Sequence, residues 1–209
     1  NKFKNKDMEM LHHEPEKEDI PFTRAALAMC ENIDWNVGRI VEKVEELDLS
    51  EKTIIVYLSD NGPNSWRWNS GMKGRKGSTD EGGVRSPLFV KWNGTLSAGK
   101  TVTEIAGSID LLPTLADLAG IDFQPKKPLD GISLKPLLTQ ENSEWKERLL
   151  FSHWGKRTSV RSQRFRLDDK GKLFDMENDP GQHENVTEKF PEISNRLLQA
   201  QKQWKNEVL

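Results

Sequence analysis

The stretch Thr53-Ile54-Ile55-Val56-Tyr57-Leu58 limits the architecture of this chain most. It is short, β-branched and unbroken, and it stops at Ser59-Asp60-Asn61-Gly62. Such a run is expected to be a strand buried on both faces, as in the sheets of α/β proteins. The residues before it agree. Ala26, Met29, Ile33, Val37, Ile40, Val44 and Leu47 recur at steps of three and four. That spacing predicts an amphipathic helix over residues 24–47, with Thr23 as its N-cap. A second strand is expected over residues 87–92, and a further short segment starts at Ile105-Ala106. Residues 109–119 read as a helix with Leu111, Leu112, Leu115 and Leu118 on its apolar face and Gly120 as its stop.

The flanks differ from this pattern. Residues 1–22 are polar, lack periodicity and read as loop. Residues 121–147 hold three of the ten prolines and many charges, and read as a connecting segment. Beyond them the rhythm shortens. Residues 148–152, 159–161, 164–167 and 172–174 are expected to be short strands, with Asp168-Asp169-Lys170-Gly171 as a hairpin turn and Asn178-Asp179-Pro180-Gly181 as a second turn. A helix over residues 191–204 closes the chain. Residues 1–139 are therefore read as part of an α/β domain, and residues 140–209 as a small antiparallel sheet plus helix.

Composition narrows the function classes. A formal charge of −2 and a pI near 6.2 give no overall attraction to nucleic acid or an anionic membrane. No apolar run approaches the roughly 20 residues of a membrane span. An apolar content of 34% is low for a self-contained domain, while seven tryptophans argue against disorder. One cysteine, Cys30, excludes an internal disulfide; beside the apolar helix face it is expected to be a buried small hydrophobe. The chain opens at Asn1 without Met or a signal-peptide pattern, and further residues are expected upstream. The sequons at Asn93 and Asn185 say little about secretion.

Chemistry gathers after the first strand. Asp60 and Asn61 stand at its carboxyl end, where ligand sites of open α/β sheets collect. A carboxylate beside an amide supplies hard oxygen donors suited to Ca²⁺ or Mg²⁺, although two residues cannot complete a shell of about six oxygens. Asp-Asn-Gly-Pro is also an ordinary turn sequence. Next comes the stretch GMKGRKGSTDEGGVRSP, from Gly71 to Pro87, where Lys73, Arg75, Lys76 and Arg85 stand among glycines. Glycine lets backbone approach a ligand, and a lysine ammonium suits a tetrahedral oxyanion. A cation at Asp60-Asn61 and a lysine of this loop could bracket one anionic group; a solvated basic loop is the plainer alternative.

Four segments in order, YLSDNGPN, the Gly71 to Pro87 stretch, SIDLLPTLADLAG and LFDMENDPGQHENV, resemble successive segments of the sulfatase family, the formylglycine-dependent arylsulfatases of the alkaline phosphatase-like superfamily. The resemblance runs from about Phe22 to the end. It implies an alkaline phosphatase-like mixed sheet followed by a small subdomain, and a sulfuric ester hydrolase as the activity. It implies Asp60 and Asn61 as Ca²⁺ ligands, with Mg²⁺ as the other candidate, and Lys76 as the catalytic residue that binds the sulfate. Lys73 and Arg75 carry over less clearly. Glu81, Gly82, Gly83 and Arg85 correspond to a structural turn. A hydrated formylglycine aldehyde would attack sulfur, and the protein would be periplasmic or secreted.

The departures are informative. No C/S-x-P-x-R motif occurs, so the formylglycine nucleophile is expected in an upstream half of the same polypeptide, with the remaining metal ligands. Alone, the strand at residues 54–58 is then expected to lack a neighbour. His13, in His13-Glu14-Pro15, stands close to the helix expected at Arg24 and is read as a solvated loop histidine rather than the family's catalytic one. Trp66, Arg67, Trp68 and His153, with Trp154 beside it, are candidates for contact with a sulfated small molecule or glycan. Alternatives are a phosphodiesterase or phosphotransferase of the same superfamily, or a non-catalytic sugar-binding fragment.

Overall fold

The computed structural model describes residues 2–9, 11–140 and 145–209. After a 3-10 turn at Pro15–Lys17 comes helix α1, Ile20–Glu46, which begins four residues before the expected start. The difference comes from Pro21. It lacks an N–H that the first turn would leave unsatisfied, so it opens the helix instead of blocking it. Asp19 is the cap, accepting a bond from the Phe22 N–H at 2.9 Å. Thr23, expected as the cap, is buried one turn inside, and its hydroxyl donates to Glu18.

Strand β1, Ile55–Leu58, pairs antiparallel with β2, Leu88–Lys91, in the register Ile55 to Lys91 through Leu58 to Leu88. Two expectations are corrected here. The first strand has a neighbour inside this chain. It is also not buried on both faces: Ile55 to Tyr57 are half-buried, and Leu58, Leu88 and Phe89 are exposed. A two-stranded ribbon has two faces to cover, and the chain offers mainly α1, whose Val41 and Val44 border a narrow recess with Ile55. The apolar stripe of α1 divides accordingly. Ala26, Val37 and Val44 are half-buried, while Met29, Ile33, Ile40 and Leu47 are exposed. Cys30 is a free thiol and exposed, contrary to the buried site expected, because it lies beside this uncovered stripe.

Between β1 and β2 lies a one-turn helix α2, Glu81–Val84. No strand forms at Ile105-Ala106. A 3-10 turn at Ser108–Asp110 leads into α3, Leu111–Leu118, of which Leu118 is buried whereas Leu112 and Leu115 are exposed. The expected connecting segment contains a short helix α4, Lys135–Thr139, and its residues 141–144 lie outside the described residues. Asp110, wholly buried, accepts bonds from the N–H groups of Gly107 and Ile132 at 2.8 and 2.9 Å and from Arg148 Nη1 at 2.8 Å. One carboxylate thereby ties three separate segments together, each donor offsetting part of the cost of burying the charge.

The C-terminal residues form a four-stranded antiparallel sheet in sequence order: β3 Leu150–Trp154, β4 Arg157–Arg161, β5 Phe165–Leu167 and β6 Leu173–Asp175. Helix α5, Pro191–Val208, packs on it. Val160, Phe165, Leu167, Leu173, Val186 and Leu197 make the core. The architecture is mixed α/β.

Candidate functional site

The glycine-rich basic loop folds back onto Asp60-Asn61 through backbone bonds. The Gly62 N–H donates to the Gly83 carbonyl at 2.9 Å, the Lys76 N–H donates to the Pro63 carbonyl at 2.8 Å, and the Ser86 hydroxyl donates to the Ser59 carbonyl at 2.8 Å. Gly62 explains why the sequence needs glycine here: a Cβ at this position would lie 1.8 Å from the Gly82 carbonyl oxygen. Any side chain would push the loop off the turn. The exposed Asp60 carboxylate accepts the Asn61 N–H at 2.9 Å, and Asn61 Nδ2 donates to the Gly62 carbonyl at 2.7 Å. That bond commits the amide nitrogen of Asn61 inward and leaves its oxygen as the open donor group.

The two lysines of the loop have different surroundings. Lys73 Nζ lies 3.2 Å from Asp80 and 3.4 Å from the buried Asp168, and 4.8 Å from the centre of the Phe174 ring. Its charge is already matched. Lys76 is exposed and has no carboxylate within ion-pair distance among the described residues. Arg75 donates to the Asn64 carbonyl at 3.3 Å and covers the Trp66 ring at 4.7 Å.

Glu81 anchors the loop from below. Its buried carboxylate takes Arg166 in a two-pronged contact at 2.7 and 3.0 Å, with Arg161 at 3.6 Å and Arg85 at 3.5 Å. Burial opposes ionisation, but Arg166 and then Arg161 outweigh it, so the carboxyl titrates below the usual glutamate range. The Glu81 N–H donates to Gln182 Oε1 at 2.8 Å, and the Ser159 hydroxyl donates to the Thr79 carbonyl at 2.6 Å. The loop is therefore held between the β1–β2 ribbon and the C-terminal sheet.

The remaining expected residues separate. Trp66 is half-buried, with Lys17 and Arg75 over its ring at 4.6 and 4.7 Å and the edge of His12 at 5.1 Å. It packs the loop and is not an open platform for a sugar. Arg67 stands 5.7 Å over the Phe22 ring, and Trp68 is exposed. His153 Nδ1 pairs with Thr158 Oγ1 at 2.9 Å and faces Trp204, so it is held on the α5 side of β3. The neighbouring Trp154, on the opposite face, stands over Gly77: a Cβ there would come 3.7 Å from its Nε1.

His13 is not a solvated loop residue. Its Nδ1 lies 3.0 Å from the Gly71 carbonyl oxygen, and its ring stacks on His183 at 4.2 Å. A carbonyl oxygen only accepts, so Nδ1 carries the proton. Burial lowers the His13 pKa, and His183 and His12 lower it further, against the opposing bond to Gly71. The sequence signal, His13-Glu14-Pro15, is read as too near the helix, whereas the segment reaches the loop across 58 positions. His12 is buried, with Nε2 unpartnered among the described residues. Among the described residues no three His, Cys, Asp or Glu side chains group as a metal site, so Asp60 and Asn61 do not form a complete shell.

Comparison with known proteins defines the class. The Sulfatase family model matches residues 4–121, more than half of the chain, and the model described as N-sulphoglucosamine sulphohydrolase, C-terminal, matches residues 76–207. The chain belongs to the sulfatase family. It is 32% identical to Arylsulfatase A of Bos taurus over 207 residues, an alignment that takes in 82% of this chain and 40% of the relative. It is 40% identical to Arylsulfatase A of Homo sapiens over 124 residues, or 57% of this chain and 24% of that one. The structure of Ps i-CgsB in complex with k-i-k-neocarrahexaose matches with a TM-score of 0.76 and 26% identity, over 87% of this chain and 43% of that chain. A structure carrying its substrate D-glucosamine-2-N,6-O-disulfate matches with a TM-score of 0.70 and 25% identity, over 88% of this chain and 40% of that chain. The chain thus spans about two fifths of the bovine relative.

Proposed function

We propose that this chain contributes metal- and sulfate-binding groups to a sulfuric ester hydrolase whose complete polypeptide releases sulfate from a sulfated sugar or related molecule. The observation that carries the reading is the set of backbone bonds joining residues 59–63 to the loop. They seat the Lys76 backbone against Pro63, two residues beyond Asn61, and Lys76 has no ion-pair partner among the described residues, while Lys73 is neutralised by Asp80 and Asp168. Asp60 and Asn61 fit a hard cation: one carboxylate and one open amide oxygen suit Ca²⁺, or Mg²⁺ in its place. Such a cation, when bound, supplies Lewis-acid polarisation of a sulfate oxygen. The further ligands, and a formylglycine nucleophile, are assigned to another part of a longer polypeptide.

Within this chain, Lys76 would meet the charge that builds on the sulfate oxygens with a fixed ammonium. His13 would present Nε2, the nitrogen that exchanges a proton, because Nδ1 is held by Gly71. The relative that carries a disulfated glucosamine supports a sulfated sugar as substrate.

The test is hydrolysis of 4-nitrophenyl sulfate by the complete polypeptide. Lys76→Ala is expected to lower kcat about 10²–10³-fold, the range for one lost oxyanion donor. Lys73→Ala should act mainly on stability, since it strips the buried Asp168 of its cation. Asp60→Ala should remove both bound metal and turnover. A larger kcat loss from Lys73→Ala than from Lys76→Ala would overturn the lysine assignment, and full metal occupancy in Asp60→Ala would overturn the ligand assignment.

A further inference from the structure

We infer that one face of β4 positions Lys76 for the reaction: Arg157, Ser159 and Arg161, with Arg166 of β5, set the path of the loop that carries it. The inference rests on the sulfatase reading of Lys76 and adds positioning residues that lie in the C-terminal sheet.

Side chains of a strand alternate between its two faces. In β4, Val160 enters the core, and Arg157, Ser159 and Arg161 share the other face. Those three meet the loop one by one. Arg157 Nη1 donates to the Gly77 carbonyl at 2.8 Å, the Ser159 hydroxyl donates to the Thr79 carbonyl at 2.6 Å, and Arg161 Nε lies 3.6 Å from the Glu81 carboxylate. Each pair is 80 positions apart in the sequence. The loop therefore runs beside β4 in step with it, as a ladder with a rung at every second residue. A loop that merely brushed the sheet would not keep one offset through three contacts.

Arg166 ties the rungs together. It lies opposite Arg161 in the β4–β5 pairing and so on the same face. Its Nη1 donates to the Thr79 carbonyl at 2.8 Å and to the Ser159 hydroxyl at 3.0 Å, while Nε and Nη2 donate to Glu81 at 3.0 and 2.7 Å. Ser159 is fully buried, and Arg166 is 3% exposed. These bonds are made away from water, where a donor or acceptor left without a partner is costly, so the rungs hold the loop firmly.

Lys76 stands where the ladder begins. Gly77, the first rung, follows it directly, and earlier in the loop Lys73 pairs with Asp168 at 3.4 Å. Its own N–H donates to the Pro63 carbonyl at 2.8 Å. The backbone at Lys76 is thus fixed from two directions, by the C-terminal sheet and by the segment that follows Asp60-Asn61, while its side chain stays exposed. A charge that meets a transition state works best when its place is set before the reaction, and this polar face of the sheet sets it. Ser159 and Arg166 are enclosed, so they act on the sulfate only through the loop.

The experiment uses the complete polypeptide, 4-nitrophenyl sulfate and a double-mutant cycle. Arg157→Ala combined with Ser159→Ala removes two rungs and leaves the Arg166–Glu81 pair in place. This pair variant should lower kcat about tenfold, against the roughly 10²-fold that a displacement of about 1 Å can cost. KM should stay within about twofold, as for a group that acts in the transition state. In a Lys76→Ala background the same two substitutions should change kcat by less than about twofold, because their effect passes through that lysine. Equal losses in both backgrounds would overturn the positioning role, and so would wild-type kcat in the pair variant. Amide exchange across residues 73–84 is the readout independent of turnover, and the pair variant should exchange about tenfold faster there. Unchanged exchange would overturn the ladder. Wild-type kcat in Lys76→Ala would instead overturn the lysine assignment of the sulfatase reading, and faster exchange in the pair variant would then still support the ladder.

Discussion

Leu167, Leu173 and Leu197 of the C-terminal sheet and helix are completely buried, whereas Met29, Ile40 and Phe89 of the helix and ribbon are 59%, 58% and 64% exposed. Both regions carry amphipathic elements. The difference is the number of layers. Four antiparallel strands offer one apolar face, and α5 covers it, so that core is closed by residues of the chain itself. The β1–β2 ribbon has two faces and two edges, and α1 turns only part of its stripe toward it. The candidate site lies along the seam between these unequal regions. Its backbone is fastened to the closed side by Glu81, Thr79 and Lys73, while Asp60 and Asn61, the pair proposed to hold a metal, stand at the end of the open side's first strand. A site built this way gains rigidity from the small C-terminal sheet, although the proposed metal ligands are not in it.

The strongest way to break the comparison is to cut the seam. Glu81→Gln keeps the shape of the side chain but leaves Arg166 buried with no full charge opposite it. Loss of one partner from a buried pair costs about 3–5 kcal/mol. The pH dependence identifies the cause. The Glu81 carboxyl titrates below its ordinary value of 4.5 in the folded protein, so the unfolded chain binds the proton first as pH falls. The stabilisation is therefore complete above pH 4.5 and lost progressively below it, through the depressed folded value. Urea unfolding at several pH values should show this slope in the wild type and a weaker one in Glu81→Gln. Equal slopes would assign the acid sensitivity elsewhere, for instance to Asp175, whose bond from Arg164 holds its carboxyl well below the usual range.

A somewhat smaller effect separates the two regions directly. Leu167→Ala should cost about 2–5 kcal/mol, because the leucine is fully enclosed by Val160, Leu173 and Leu197 and leaves a cavity that they cannot fill. Thermal unfolding measures it. A cost under about 1 kcal/mol would mean that the C-terminal core is looser than its burial implies.

Local signals were readable in the sequence, and long-range ones were not. The four short strands fall within two residues or so of where the runs between Arg148 and Phe174 put them, because turn residues such as Asp168 act over a few positions: its carboxylate accepts the N–H groups of Lys170 and Lys172. Asp60, Asn61 and the basic loop were visible for the same reason. Periodicity identifies residues that share a helix face, but not whether another layer covers it, which is why Cys30 was expected inside and stands outside. Pro21 reads as loop without knowledge of the Asp19 cap. The contacts of His13 with Gly71 and His183, and of Trp66 with Lys17 and Arg75, depend on segments brought together only by the complete fold.

The smallest predicted effect sharpens the contrast most. Ile40→Gln places a polar side chain of similar length on an exposed helix position, and glutamine has good helix propensity. For residues 1–209 the stability change should stay within about 0.5 kcal/mol, as for other exposed sites. Met29→Gln on the same stripe should behave alike. The chain spans about two fifths of the bovine relative, and a longer polypeptide has material to lay over this stripe. If it does, the same Ile40→Gln substitution in the complete protein buries an amide without partners, and its cost should rise to roughly 1–3 kcal/mol. The shorter and longer chains are compared by chemical unfolding under one set of conditions. A rise in the longer protein assigns α1 to a second, covered layer. An equally small change in both would show that the stripe faces solvent in the complete protein and that the ribbon is stabilised by α1 alone.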